Sequence, residues 1–433
     1  PKKSSRVALR RRKKGTAPAE PPLPIAGRRA IGLCAFGLVL ALVSLNGIVL
    51  LRTTKIPSIV GGMQHQRTSD TDLAKQHDTF IQEDQPQHGV VGILKSEPRE
   101  NDKKDKTHLP LCNMEQLKKG RWEPHRFPKP PYNPVQGTKT KGNDQWPCYG
   151  EDGPDMTQPL DTFKWSANSV SDQTCSFPQR NFAIDFCELA YNKTVAFLGD
   201  SITLEQFEDV ALSTGVKGID MASVLWDKKN TESTLIINTC PHNTTTLVFR
   251  RTHFLEVLGD FLNKVTPDIL LLNTGQWYTE RVVTLIERRY GCIKDWQTKC
   301  KTLGKDCQLI WRTTVPGHPF CTHYTEPATS VEKMEQLVAN LSWYPLKKGM
   351  PRYHWWDFKH QNQLVVNSLD QSGLGFDVLP SYNFLILRPD VHRKITPEGE
   401  PDCAHACLLE GSISLVNQLF LQLIRLHAHG AIS

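Results

Sequence analysis

The sequence predicts an α/β fold of three layers, in which a parallel sheet is flanked by helices and preceded by one membrane-spanning helix and a flexible stem. Short apolar runs bounded by turn residues indicate strands buried on both faces, which is typical of parallel sheets. Helical patterns lie between some of these runs, as in other α/β domains. A long uncharged run near the N-terminus predicts the membrane-spanning helix.

The positive charge of the chain is concentrated at its N-terminal end. Residues 1–52 contain eleven Lys or Arg residues and one acidic residue, Glu20, whereas the whole chain has a net charge of +7. Residues 53–433 therefore carry a net charge of about −3, which argues against a basic nucleic-acid-binding surface in the folded part. We predict a cytosolic basic tail over residues 1–29 and no nucleic-acid partner.

The run from Ala30 to Leu51 contains 22 residues without a charge. As a helix it would span about 33 Å, which is enough to cross the hydrocarbon core of a bilayer. A cleaved signal peptide is the alternative, but its apolar stretch is usually shorter than this one. Positive charge before the run keeps the N-terminus in the cytosol, so we predict a type II anchor over residues 30–51 and a lumenal remainder.

Residues 52–106 are rich in Gln, Asp, Lys and Ser and contain few large apolar residues. Such a segment cannot bury enough apolar surface to offset the entropy of ordering, so it predicts a flexible stem. Asp70-Thr71-Asp72 lies in this stem and is similar to the metal-binding D-x-D of sugar-nucleotide transferases; we interpret it as a coincidence. Residues 107–433 then form one lumenal domain.

The chain contains twelve cysteines, of which Cys34 lies in the predicted anchor. In an oxidising lumen most of the other eleven should form disulfides, and one should be left over. A zinc site among Cys292, Cys300, Cys307 and Cys321 is the alternative, but these residues include no C-x-x-C pair, so we predict no metal site. Three glycosylation sequons fit the same compartment, and they begin at Asn192, Asn243 and Asn340.

Apolar runs after Lys193 predict the strands of the sheet, and amphipathic patterns predict helices that cover it. The segment from Cys112 to Cys187 is rich in Pro, Gly and aromatic residues, which indicates a loop-rich region stapled by disulfides. The predicted strands are Val195–Leu198, Leu235–Ile237, Ile269–Leu272, Leu309–Trp311 and Phe384–Leu387. The predicted helices are Thr203–Leu212, Phe254–Asn263 and Ser412–His427.

A serine follows the first predicted strand, and an Asp and a His stand three residues apart near the C-terminus. Gly199-Asp200-Ser201 lies where open α/β sheets bind ligands, beyond the carboxyl end of a strand. Ser201 needs a base to take its proton and a third group to orient that base. His405 and Asp402 can supply both, because residues three apart share one side of a helical turn. The pattern predicts a Ser-His-Asp hydrolase or acyltransferase; the structural alternatives are an N-capped turn and a loop fixed by disulfides.

Four more residues are candidates for binding the reacting group or the substrate. Gly199 permits a close approach, and the N–H groups of Ser201 and Gly275, with the side chain of Asn273, are candidates for an oxyanion hole. A hydrogen bond at the strand end is the alternative role of Asn273. Trp277 follows the same predicted strand, and its flat ring suits the apolar face of a sugar.

Four segments, in order, resemble the trichome-birefringence-like family of Golgi polysaccharide O-acetyltransferases, within the SGNH and PC-esterase group. Val195–Ser201 is similar to the family's GDS block, and Leu270–Trp277 is similar to its N-T-G-H-W segment. Leu309–His318 is similar to its R-T-x-S-P-x-H block, and Pro401–Leu408 matches its D-C-x-H-x-C-L-P block up to the final proline. The residues that lead into the GDS block in the same way are Trp165, Cys175, Phe182 and Lys193.

The chain departs from the family at two places, so the resemblance is to a divergent member. Leu204-Glu205-Gln206 stands where the family commonly has Arg-Asn-Gln, and Leu409 stands in place of the proline. The resemblance implies an SGNH-hydrolase-like fold, no bound cofactor, and transfer of an acetyl group from acetyl-CoA or an acetylated intermediate to a polysaccharide or glycan in the Golgi. A carbohydrate O-acetylesterase and an inactive glycan-binding protein are the alternatives.

Overall fold

The computed structural model describes residues 109–137, 146–178, 181–219, 234–273, 275–277, 281–340, 353–393 and 402–430. The predicted basic tail (1–29), anchor (30–51) and stem (52–106) lie outside these ranges. Against the prediction of a membrane-spanning helix, none of the helices in the described ranges is long and apolar enough to cross a membrane.

The strands of the described residues are β1 (Gly120–Phe127), β2 (Leu160–Ala167), β3 (Thr194–Gly199), β4 (Thr234–Thr239), β5 (Thr245–Arg251), β6 (Ile269–Leu272), β7 (Gln308–Arg312) and β8 (Asp377–Leu379). Six of these strands form the main sheet, in the order β4-β5-β3-β6-β7-β8, and β1 and β2 pair separately.

The helices vary from single turns to four or more turns. Those of the described residues are α1 (Met114–Leu117), α2 (Trp146–Tyr149), α3 (Asn168–Ser171), α4 (Phe182–Leu189), α5 (Ser201–Ser213), α6 (Leu258–Lys264), α7 (Val282–Glu287), α8 (Tyr290–Thr302), α9 (Val331–Ala339), α10 (Phe358–Gln371), α11 (Ser381–Leu385) and α12 (Ser412–Ala428).

Successive residues of the central strand β3 face opposite sides of the sheet, as the pleat of a strand requires. Val195 and Phe197 pack in one core with residues of α4, α5 and α12. Ala196 and Leu198 pack in a second core with residues of α6, α7, α8 and α10. The sheet therefore lies between two layers of helices, and the α/β class is as predicted.

The prediction of a parallel sheet is wrong at one edge, because β4 runs antiparallel to β5 and the sheet is mixed. The other neighbouring pairs of this sheet are parallel. Only residues 240–244 connect β4 to β5, whereas a crossover between parallel strands needs a dozen residues or more. The length of this connection therefore imposes the antiparallel pairing. Ile236 of this edge strand is exposed.

One of the predicted strands is absent, and β1, β2, β5 and β8 were not predicted. Phe384–Leu387 is not a strand: Phe384 and Leu385 belong to helix α11, and the whole run is buried. A short, fully buried apolar run has the same composition in a strand and in a helix. Strand β5 escaped prediction because its ends are Thr and Arg residues, and these shorten its apolar run.

Disulfides link distant parts of the described chain, as the cysteine count predicts. Ten of the eleven cysteines that follow the predicted anchor are paired, and Cys292 keeps a buried thiol. The predicted loop-rich segment between Cys112 and Cys187 also contains β1 and β2, which pair antiparallel. The disulfides are Cys112–Cys175, Cys148–Cys407, Cys187–Cys240, Cys300–Cys307 and Cys321–Cys403.

Removal of a ring between α12 and the sheet should destabilise the domain. Phe420 is fully buried and its ring centroid lies 5.6 Å from that of Phe197. We expect Phe420→Ala to lower the free energy of unfolding by about 3–5 kcal/mol, because it leaves a cavity as well as losing buried area. Urea unfolding measures this change. Ile184→Ala, at a position 57% exposed, is the control and should change it by under about 0.5 kcal/mol; equal effects would contradict this packing.

Candidate active site

Ser201 is the first residue of helix α5, and a single residue, Asp200, separates it from the end of β3. Asp200 is the N-cap of this helix, and its carboxylate accepts hydrogen bonds from the N–H groups of Ile202 and Thr203 at 3.1 and 3.3 Å. An α-helix offers no internal partner for its first N–H groups. Asp200 thus fixes the turn that presents Ser201, while a different acid contacts His405.

The three residues of the predicted triad are brought together from both ends of the domain. His405 Nε2 lies 2.7 Å from Ser201 Oγ, across 204 residues of sequence. His405 Nδ1 lies 2.9 Å from Asp402 Oδ2. One imidazole nitrogen thus faces the nucleophile and the other faces the acid, which is the geometry that a general base requires.

The loop that carries Asp402 and His405 is held by its own hydrogen bonds and by disulfides. Asp402 Oδ1 accepts the N–H groups of Ala404 and His405 at 3.2 and 3.1 Å. Cys403 and Cys407 are tied to Cys321 and Cys148, which belong to distant segments. Leu409 follows with φ +72°. Because proline fixes φ near −65°, this turn cannot accept the proline that the family block carries there.

The triad has the charges that general base catalysis needs. Burial by itself raises the pKa of Asp402, but the hydrogen bond from His405 and the charges of His405 and Arg393 outweigh it and hold that pKa well below its usual range. Burial lowers the pKa of His405, but the hydrogen bond with Asp402 and the charges of Glu205 and Asp402 together outweigh it, and the net pKa is raised above 6.5. Asp402 is therefore ionised and stabilises the imidazolium that forms when His405 takes a proton.

Arg312, at the end of β7, is a buried cation that the sequence prediction did not assign. Its Nη2 donates to Thr203 Oγ1 at 2.9 Å and to Asn273 Oδ1 at 2.8 Å, and lies 3.8 Å from Asp200 Oδ1. Burial lowers the pKa of Arg312 to about 10, with Asp200 and Glu205 opposing that change. The guanidinium therefore stays charged at neutral pH and binds the ends of β3, β6 and β7 together.

Asn273 is fully buried in this network and both N–H bonds of its amide are used. Its Nδ2 donates to the Arg312 carbonyl oxygen at 2.8 Å and to Thr314 Oγ1 at 3.1 Å. These contacts correspond to the strand-end hydrogen bond that was the alternative role of Asn273. An oxyanion contact from this side chain would require it to give up one of them.

The two predicted glycines lie where a side chain has no room. A Cβ on Gly199 would come within 2.2 Å of the Asn273 carbonyl oxygen, and a Cβ on Gly275 would come within 1.6 Å of Thr314 Oγ1. The next residue, Gln276, donates its N–H to Asp200 Oδ2 at 3.4 Å. The turn that contains Gly275 is therefore held against the N-cap of helix α5, next to Ser201.

Trp277 ends the same turn, and its ring is part of a group of aromatic side chains. His253, two residues after β5, has its ring centroid 4.4 Å from that of Trp277. Tyr353 contacts Trp277 at 5.4 Å and Trp355 at 6.2 Å, where its ring is nearly parallel to that of Trp355. Strands β5 and β6 flank β3 and run parallel to it, so the carboxyl ends of the three strands lie at the same edge of the sheet. His253 and Trp277 follow β5 and β6, and Ser201 follows β3, so these rings are at the edge that carries Ser201.

Two buried histidines contact the loop that carries Asp402 and His405. His318 Nδ1 lies 2.6 Å from His392 Nε2, and the outer nitrogens of the pair contact the carbonyl oxygens of Ile386 at 3.0 Å and His405 at 3.1 Å. Burial lowers the pKa values of His318 and His392 to about 3 and about 4. Each of the three contacts, one between the rings and two to carbonyl oxygens, needs one N–H group as a donor. Two neutral imidazoles have only two N–H groups, so one of the three contacts is not a hydrogen bond at neutral pH.

Three charged residues of the site were not predicted: Glu205, Arg312 and Arg393. Each is buried, and burial of a charged residue depends on a partner that is distant in sequence. Two signals were present: Glu205 lies four residues after Ser201 and so shares its helix face, and Arg312 is the arginine of the Leu309–His318 segment. Over the residues described by the structure, no group of three or more His, Cys, Asp or Glu side chains is placed to hold a metal ion.

A comparison of the chain with protein-family models finds no match. The resemblance of the four segments to the O-acetyltransferase family therefore stands on those residues alone.

The pKa of His405 sets the pH dependence of any reaction that uses it as the base. His405 must be neutral to accept the Ser201 proton, and its pKa is raised above 6.5. We expect activity to be lost as the pH falls through a midpoint above 6.5. Initial rates of p-nitrophenyl acetate hydrolysis between about pH 5 and about pH 9 test this. A midpoint below about pH 6 would contradict the conclusion that the carboxylates beside His405 outweigh its burial.

Proposed function

We propose that this protein is an O-acetyltransferase that moves an acetyl group onto a hydroxyl of a polysaccharide or glycan through an acyl-enzyme on Ser201. The observation that supports the chemistry best is the continuous contact from Asp402 through His405 to Ser201, with distances of 2.9 and 2.7 Å. Such contacts activate a serine for acyl transfer.

In the first half-reaction, Ser201 Oγ attacks the acetyl carbonyl carbon while His405 Nε2 takes the hydroxyl proton. The N–H groups of Ser201 and Gly275 are the proposed donors to the oxyanion. The bond to the donor's leaving atom then breaks, and His405 gives that atom its proton. The donor is acetyl-CoA or an acetylated intermediate.

In the second half-reaction, the acceptor hydroxyl gives its proton to His405, and its oxygen bonds the acetyl carbon. The bond to Ser201 Oγ breaks, and Oγ recovers the proton from His405. Asp402 stays ionised throughout and stabilises the imidazolium. Atoms and charges balance, and the enzyme returns to its starting state.

A carbohydrate acceptor is supported by the aromatic side chains near the nucleophile and by the sequence resemblance. Trp277 and Tyr353 supply flat apolar rings beside the turn that contacts Asp200. The five disulfides fit an oxidising compartment of the secretory pathway. We therefore place the reaction in the lumen of the Golgi.

An O-acetylesterase with the same triad is the second candidate, and one observation favours it. The side chain of His405 keeps 18% of its surface exposed, so water has access to the base that would activate it. The intact contacts of the triad count against the third candidate, an inactive glycan-binding protein. Transferase and esterase then differ in whether the acyl-enzyme meets a sugar hydroxyl or water.

Loss of the nucleophile or of the base should abolish turnover while leaving the fold intact. We expect Ser201→Ala and His405→Ala each to lower kcat by about 10³- to 10⁶-fold, because the residues of a triad act as a unit. Labelling with a fluorophosphonate probe reports the reactivity of Ser201, and circular dichroism shows whether the fold is intact. Ser213→Ala, at the other end of helix α5, is the matched control. Normal activity in either triad variant would disprove the assignment.

An acceptor assay separates acetyl transfer from ester hydrolysis. The purified protein is incubated with radiolabelled acetyl-CoA or p-nitrophenyl acetate and a panel of neutral oligosaccharides. We expect the wild type to produce acetylated oligosaccharide, from which alkali removes the acetyl group. The Ser201→Ala variant should not produce it. Release of free acetate without acetylated sugar would overturn the transferase proposal and support the esterase.

A further inference from the structure

Glu205 shares one face of helix α5 with Ser201, because the two residues are four apart. Glu205 is 2% exposed, and its carboxylate is used by partners outside the helix. Oε1 accepts a short hydrogen bond from Arg393 Nη2, and Oε2 accepts the N–H of Ala406 at 3.3 Å. Ala406 directly follows the catalytic His405. One helical turn of α5 therefore contacts the catalytic loop twice, through Ser201 and through Glu205.

Arg393 completes this connection from the other side of the loop. Its Nη1 lies 3.8 Å from Asp402 Oδ2, and its backbone N–H donates to the His405 carbonyl oxygen at 3.2 Å. The guanidinium is nearly buried, as is the carboxylate of Glu205. Charges thus alternate from Glu205 through Arg393 to Asp402, and the last of these contacts His405.

Glu205 belongs to a segment in which this chain differs from the family that it resembles. Leu204 and Glu205 stand where that family commonly has Arg and Asn. Leu204 is buried in the apolar core and brings no charge to the site. A guanidinium nevertheless reaches the triad, from Arg393, which lies 188 residues after its partner Glu205.

We propose that Glu205 and Arg393 are positioning residues for the general base: they clamp the 402–406 loop on helix α5 and balance the charge beside His405. This inference rests on the proposed acyl transfer. Neither residue touches the reacting atoms. Glu205 compensates the positive charge of Arg393, which would otherwise disfavour the protonated form of His405, while Arg393 adds to the effect of His405 in keeping Asp402 ionised.

The electrostatic effects on His405 have opposite signs, and this makes the proposal testable. The charged and titratable groups that face His405 are Asp402 of its own loop, Arg393 and His392 of the preceding segment, and Glu205 of helix α5. The charge of Arg393 lowers the pKa of His405, and that of Glu205 raises it. Burial raises the pKa of Glu205 to about 7, with Arg393 opposing it, so Glu205 is largely ionised, and the ion pair fully charged, only above that pH.

The first variant is Glu205→Gln in the full protein, assayed with p-nitrophenyl acetate, which requires no sugar acceptor. It leaves Arg393 without its counter-charge and weakens the hold on Ala406. We expect the acidic limb of the pH–rate profile to move to lower pH. We also expect kcat to fall about 10- to 100-fold with little change in KM, because a displaced base loses alignment.

The second variant, Glu205→Gln with Arg393→Gln, removes both charges and remains informative if the single variant folds poorly. We expect its acidic limb to return toward that of the wild type while kcat stays low. The matched control is Asp185→Asn, which breaks another buried ion pair, with Arg425, between α4 and α12. Loss of this ion pair should lower the free energy of unfolding and leave the acidic limb of the pH–rate profile unchanged.

Three results have distinct meanings. A limb that moves in Glu205→Gln and recovers in the double variant supports the positioning role. A limb that stays in place in Glu205→Gln, or that moves as much in Asp185→Asn, overturns it. Wild-type activity that Ser201→Ala does not abolish contradicts the proposed function itself, which keeps the two failures separate.

Discussion

The buried guanidinium of Arg312 joins the carboxyl ends of the three central strands. It extends from the end of β7, donates to Asn273 after β6, and lies 3.8 Å from the Asp200 carboxylate after β3. A cation with almost no exposure is costly unless every neighbour is a partner, so its burial fixes these strand ends relative to one another. Ser201 and Gly275 follow those strand ends, so this charge, together with the hydrogen bond from Gln276 to Asp200, holds them in place relative to each other.

The other half of the site is a loop without regular secondary structure, and it needs external support. Two disulfides, the paired histidines and the Glu205–Arg393 ion pair all hold residues 402–407 from different directions. A base that is displaced by about 1 Å loses much of its catalytic effect. The number of constraints on so short a segment is consistent with a function that depends on the position of His405.

Much of the site could be predicted because its key patterns are local. The strand before Ser201, the helix after it and the spacing of Asp402 and His405 each occupy a few consecutive residues. The same local reasoning was wrong for Phe384–Leu387, where the apolar run is the buried end of a helix and the turn that follows it. It was also wrong for β4, where the short connection to β5, and not the composition of the strand, determines direction.

The sequence by itself determined the α/β class, the pairing of most cysteines and the three residues of the triad, because periodicity, count and spacing are readable along the chain. Only the tertiary structure decided the disulfide partners, the mixed sheet and the charged residues around the triad. Arg312, Arg393 and Glu205 are ordinary polar residues in the sequence. Their roles arise from burial beside partners as far as 201 residues away, where loss of water makes each charge depend on the next.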